Sequence, residues 1–272
     1  MTPSTATGNL SGFRLGRPRP SETVVLPLIT IAITIGLWQL LTSIGLGGVF
    51  KDISNPVDVG RAGWKMAANG TLWPNAKVSI DDFAIGFALS AVVGVPLGLV
   101  MGWSKIVREF VEPPLMALNS MPKLALMPLA IVWLGIGWHS VVAIVFLDSL
   151  IPVTINGIAG IREVDAKLVQ ASRSFGARRL MLFTRVLLPS ATPAILTGLR
   201  HGISRGVGGV VTAQLFVSTP GGGIGYLLIF YGQSYVIAPV IFLVLLVGVF
   251  AYLVNVAMER LERRFDSWRP QR

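Results

Sequence analysis

The sequence predicts an all-α membrane protein of six transmembrane helices, with one amphipathic helix on its inner side. Three observations carry that prediction. Of the 272 residues, 53% are hydrophobic and only 13% are charged, about half the charged share of a soluble domain. Long apolar runs, each near the ~20 residues that a bilayer requires, alternate with short polar segments. The basic residues gather on one side of those runs, as the positive-inside rule demands. The net charge of +10 therefore belongs to membrane topology and does not mark a nucleic-acid face. No cysteine is present, which removes disulfides, thiolate metal sites and a cysteine nucleophile. Two histidines, His139 and His201, are too few for a histidine-rich centre, so no metal site is expected. No Gly-Lys-Ser/Thr phosphate loop occurs, and no ATP site is expected in this chain.

Residues 1–23, rich in Pro, Gly, Ser and Thr and carrying Arg14, Arg17 and Arg19, read as a disordered cytoplasmic tail. The uncharged run 24–46 forms the first span. It exceeds a signal-peptide core and lacks a small-x-small cleavage site. Residues 47–77, with Lys51, Asp52, Asp58, Arg61 and Lys65, belong outside. The second span, 80–103, contains Gly86, Gly94, Gly98 and Gly102; the last three make a small-residue stripe that lets helices approach closely. An inner turn with Lys105, Arg108 and Glu109 follows. The third span, 115–138, is interrupted by Pro122 and Pro128 after Pro113 and Pro114, and holds Asn119 and Lys123. Broken helices of this kind line wet or protein-buried cavities.

An outer turn at His139 and Ser140 leads to the fourth span, 141–160, which contains Asp148, Pro152 and Asn156. The fifth span, 191–217, carries Arg200, His201, Arg205 and Gln214. A glycine-rich outer turn over 218–226 follows no strand, so a nucleotide loop is excluded there. The sixth span covers 236–258, and 259–272 is a basic tail with five arginines. With both termini in the cytoplasm, seventeen of the 23 basic residues lie inside. Lys51, Arg61, Lys65 and Lys77 lie outside, and Arg200 and Arg205 fall within a span. Arg200 is expected to be structural and His201 packed. Asp148 and Arg205 either pair for helix packing or line a solute path, because a lone charge at a helix centre costs about 2.5–3.5 kcal/mol.

The inner segment 161–189 is the most informative stretch. Val164, Leu168, Ala171 and Phe175 recur at helical spacing on one face. Glu163, Asp165, Lys167, Gln170 and Arg173 occupy the other, with acids first and bases last as the helix dipole prefers. Gly176 suits a left-handed helix end. Arg178 and Arg179 then begin a second short turn, and Pro189 opens the next apolar run. Gln170-Ala171-Ser172, three residues, Gly176, nine residues, then Val186-Leu187-Leu188-Pro189 resembles the "EAA" loop of ABC-importer permeases. Gln170 stands for the Glu, Ser172 for the second Ala and Val186 for the Ile. Residues 121–137 and the run Thr197-Gly198-Leu199-Arg200 are similar to the nitrate/sulfonate/taurine/bicarbonate branch. That branch has a Glu where this chain has Gln214.

The resemblance implies a type I ABC-importer permease fold and a transporter subunit that is not an enzyme. ATP-Mg would be bound and hydrolysed on separate cytosolic ABC ATPase subunits. An extracytoplasmic substrate-binding protein would deliver a small, anionic solute, and two copies of the chain would form the path by alternating access in the cytoplasmic (inner) membrane. The coupling surface is expected at Leu168, Gln170, Ala171, Ser172, Phe175, Gly176, Leu188 and Pro189. The translocation path is expected at Asn119, Lys123, Asp148, Arg205 and Gln214. The alternative is a secondary, ion-coupled transporter using Asp148 and Arg205.

Overall fold

The computed structural model describes residues 22–44, 54–217, 219 and 221–265. The tail predicted for 1–23 lies almost wholly outside these residues, as do Lys51, Asp52, Ser218 and the end of the basic tail. The chain divides into two units, Met1–Asp58 and Val59–Arg272. The first contains α1 (Glu22–Ile44), an apolar helix whose hydroxyls turn back onto its own carbonyls, as when Thr34 Oγ1 donates to Thr30 at 2.8 Å. At the end of this unit Asn55 accepts the Asp58 N–H at 2.8 Å and starts α2 (Pro56–Ala68).

The second unit is built of helices joined by short turns, with no strand among its described residues. It contains α3 (Leu72–Trp103), α4 (Lys105–Ser120), a 3₁₀ turn (Lys123–Leu126), α5 (Met127–Leu134) and α6 (Trp138–Arg162). The short helices α7 (Ala166–Ser174) and α8 (Arg179–Leu182) follow. A π turn (Phe183–Leu187) then joins α8 to α9 (Leu188–Gln214), and α10 (Ile224–Gln233) and α11 (Ile237–Phe265) complete the unit. Among the described residues four helices are long and apolar enough to cross a membrane, or five if the α4/α5 pair, bent by 94°, counts as one span. Among the described residues α1 contributes the shorter apolar stretch Ile29–Ile44; the expected first span, 24–46, extends beyond the described residues.

Several boundaries differ from the sequence reading for local reasons. The second span begins at Leu72, eight residues early, because Lys77 pairs with Asp81 at 2.5 Å on the exposed side and Asp82 is hydrogen-bonded inside. The inner turn at Lys105 is the first turn of α4, capped by Ser104 accepting the Val107 N–H at 3.4 Å. The pairs Lys105–Glu109 and Arg108–Glu112 lie one turn apart along it. The expected interruption of the third span falls at Met121 and Pro122. His139 and Ser140 open α6, where Ser140 donates to the Gly135 carbonyl. Ile224, Gly225 and Tyr226, read as turn, open α10.

α6 is the centre of the unit. It packs along α3 on one side and α9 on the other, and 61% of its apolar window is buried, against 11% for α11. The α3 stripe is what allows the approach. A Cβ on Gly98 would stand 2.5 Å from the Thr154 carbonyl oxygen, and Gly94 and Gly102 face α6 residues one turn to either side. From α9, Gly202 lets its carbonyl accept from Ser149 Oγ at 3.0 Å. The main core joins Phe83, Met127, Val141, Ile144, Val145, Ile203, Val207 and Val210.

Candidate functional site

The inner segment folds from its caps outward. Asp165 accepts the Lys167 N–H at 2.8 Å and starts α7. At the other end the Ala177 N–H reaches the Ser172 carbonyl at 3.0 Å and the Gly176 N–H reaches Arg173 at 2.9 Å. This is a Schellman closure around Gly176, whose φ of +79° needs the missing Cβ. Pro189 cannot donate to residue 185, and the chain accommodates it by widening the preceding turn to π form, with the Leu188 N–H bonded to Phe183. The result differs from a helix-turn-helix that stops before a span. Arg179–Gln214 runs as one helical rod of 36 residues.

The predicted apolar face divides in two. Val164 turns inward with Val169 onto Leu99, Ile161, Leu187 and Ala191. Leu168 is 46% exposed and Phe175 92% exposed. Gln170 and Ala171 are also exposed, and Leu180 continues the apolar patch. Ser172 is half-buried and donates to the Leu168 carbonyl at 2.8 Å. Leu188 and Pro189 are half-buried at the start of α9, where Leu188 packs on the Leu99 cluster. They support the segment and do not join its exposed patch.

The expected path residues are brought together only in part. Lys123 is 9% exposed and donates to the Asn119 carbonyl at 3.2 Å. The cations that act on Asp148 are Lys123 first and Arg205 second, yet no ion pair within 4 Å joins Asp148 to either. Of the two alternatives for these residues, the Asp148–Arg205 pair is therefore not formed. The Asp148 carboxylate instead lies over Gly209, where a Cβ would meet Oδ2 at 2.7 Å. Arg205 is exposed one turn away, in a row along α9 with His201, Ser204, Gly208 and Thr212. Exposed His201 is not the packed residue expected. Arg200 has the structural partner expected of it: its guanidinium lies 3.4 Å from Glu262 of α11, which also accepts from Thr197 at 2.5 Å.

Gln214 is fully buried. Its Oε1 accepts from Ser79 Oγ at 2.7 Å and from the Gly225 N–H at 3.3 Å, and its Nε2 donates to Asp82 at 2.9 Å. Asn75 accepts the Gly223 N–H at 3.2 Å, and Ser79 accepts the Ile224 N–H at 2.8 Å. This network pins the turn before α10 onto α3. Sequence reasoning missed it because residues 75 and 79 were placed outside the span. The available signal was Asn75, Ser79 and Asp82 at helical spacing on an otherwise apolar helix.

A helical unit with four or five membrane-length helices among the described residues, a capped helix presenting an apolar patch and a polar row along another helix has the build of an integral membrane protein. The binding-protein-dependent transport system inner membrane component family matches residues 94–267, and the chain belongs to that family. The taurine transport system permease protein of Escherichia coli is 28% identical over 254 residues, covering 91% of each chain. The nitrate import permease protein of Synechocystis is 29% identical over 244 residues, covering 86% of each. The MetNI methionine ABC transporter, in an inward-facing form, superposes with a TM-score of 0.59 at 20% identity over 69% of this chain and 93% of that one. The fold is that of ABC-importer permeases.

Proposed function

We propose that this permease moves a small anionic solute of the sulfonate, taurine or nitrate class across the cytoplasmic membrane by alternating access. It works as a homodimer, with six spans per chain and both termini in the cytoplasm. Cytosolic ABC ATPases bind ATP-Mg and drive it, and an extracytoplasmic binding protein supplies the solute. The observation that carries this reading is the exposed patch of α7, Leu168 and Phe175 beside Ala171. A capped helix that leaves large apolar side chains in the open has a docking face and no partner within its own unit. The α9 row supports the dimer, since Arg205 facing lipid would carry the cost of an unpaired membrane charge. The relatives' taurine and nitrate support an anion. Secondary transport is not favoured, because it leaves the α7 patch without a role.

The test is Ala171→Asp, which places a carboxylate in the docking face without touching a span. Uptake of labelled taurine and nitrate and recovery of the ATPase with the purified permease are measured together. Insertion should be normal, uptake should fall at least tenfold and the ATPase should be lost. Full uptake with a bound ATPase overturns the coupling role.

A further inference from the structure

Where α3 and α6 end beside α7 and α8, the fold leaves a cavity of about 530 Å³ lined by Trp103, Ile161, Val169, Arg173, Arg179 and Leu187, among others. This falls within the ~300–1,000 Å³ typical of ligand sites. Its chemistry is two-sided. One wall is apolar, and the Leu99 and Ile161 cluster backs it. The other holds two arginines that no ion pair reaches among the described residues. Arg179 lies 5.5 Å over the Trp103 ring, which Phe183 in turn meets edge-on at 5.2 Å. This stacking fixes the guanidinium plane while leaving its N–H fork free. The acids nearest in sequence, Glu163 and Asp165, do not line the cavity, and Asp165 is engaged as the α7 cap.

We propose that this cavity binds the phosphate headgroup of an anionic membrane phospholipid, with Arg173 and Arg179 as its ligands. Trp103 is the last residue of α3 and Arg162 the last of α6, so the cavity opens at the level where headgroups lie and aromatic belts form. Basic pockets between helices at that level suit such headgroups. A guanidinium grips phosphate with two parallel hydrogen bonds. The apolar wall then accepts the start of an acyl chain, which a soluble anion would leave empty. A bound lipid would join the span ends to α7 and so set its tilt. The inference needs only that α3 and α6 cross the membrane. It stands apart from ATPase docking, and the two fail separately.

Full-length protein in nanodiscs of equal parts phosphatidylcholine and phosphatidylglycerol is exchanged into phosphatidylcholine, and retained lipid is counted by native mass spectrometry. Wild type should retain phosphatidylglycerol in preference to phosphatidylcholine. Arg173→Gln with Arg179→Gln should lower that retention roughly tenfold or more, since both guanidinium ligands of the phosphate are then lost. Arg178→Gln, outside the cavity, should leave it unchanged. Equal retention of the two lipids by wild type overturns the proposal without any variant. So does undiminished retention by the double variant. In a second arm inorganic phosphate is added at millimolar concentration; release of phosphatidylglycerol by phosphate assigns the site to a soluble anion and overturns the lipid.

Discussion

Asp148 shows how far a residue's chemistry is readable before its neighbours are known. A carboxylate within an apolar span called for a cation, and Arg205 was the obvious choice along the chain. Lys123, buried where Arg205 is exposed, is the less screened of the two nearby cations, and the turn between α4 and α5 brings it against α6, which no spacing rule reveals. Double-mutant cycles on uptake should therefore give a larger coupling for Asp148→Asn with Lys123→Gln than for Asp148→Asn with Arg205→Gln. The reverse order would restore the Arg205 pairing. Gln214 carries a second residue-scale expectation. Gln214→Leu removes partners from buried Asp82, Ser79 and the Gly225 N–H. Each buried group left unsatisfied costs about 1–3 kcal/mol. A clear fall in the Tm of the detergent-purified protein is expected, and an unchanged Tm would show that the network contributes nothing.

At the scale of elements, the glycine stripe was legible from periodicity alone, and the close α3–α6 approach follows it. Gly98→Val should abolish a monodisperse folded fraction, because the new Cβ meets a backbone carbonyl that cannot retreat. Gly60→Ala, with nothing within 4 Å, should be neutral or slightly stabilising, by up to about 1 kcal/mol from helix propensity. Size-exclusion profiles after detergent extraction compare them. The end of α7 was equally readable, since Gly176 is a local signal, whereas Asp165, read as part of the helix face, caps its start. Two elements were not. α10 is a ten-residue helix whose first three residues, Ile224, Gly225 and Tyr226, read as turn, and it is held by polar contacts from α3, remote in sequence. The join of α8 to α9 was hidden because Pro189 normally signals a start, and only the π turn shows the helix passing through it.

For the molecule as a whole, hydropathy gave the class and the charge bias gave an orientation, while the number of spans depended on where broken helices bend. Orientation has a direct test, because the chain has no cysteine background. In intact cells Thr219→Cys should react with a membrane-impermeant thiol reagent and Ser172→Cys should not. The opposite pattern would invert the topology. The rod Arg179–Gln214 gives this arrangement a mechanical meaning. Its 36 residues measure about 54 Å at 1.5 Å per residue. One end emerges from the α7 segment, the other is Gln214 in the buried network, and Gly198, Gly202 and Gly206 bring its second half hard against α6. A single continuous helix, and not a chain of separate contacts, therefore joins the segment that carries the exposed patch to the polar cluster that holds α10.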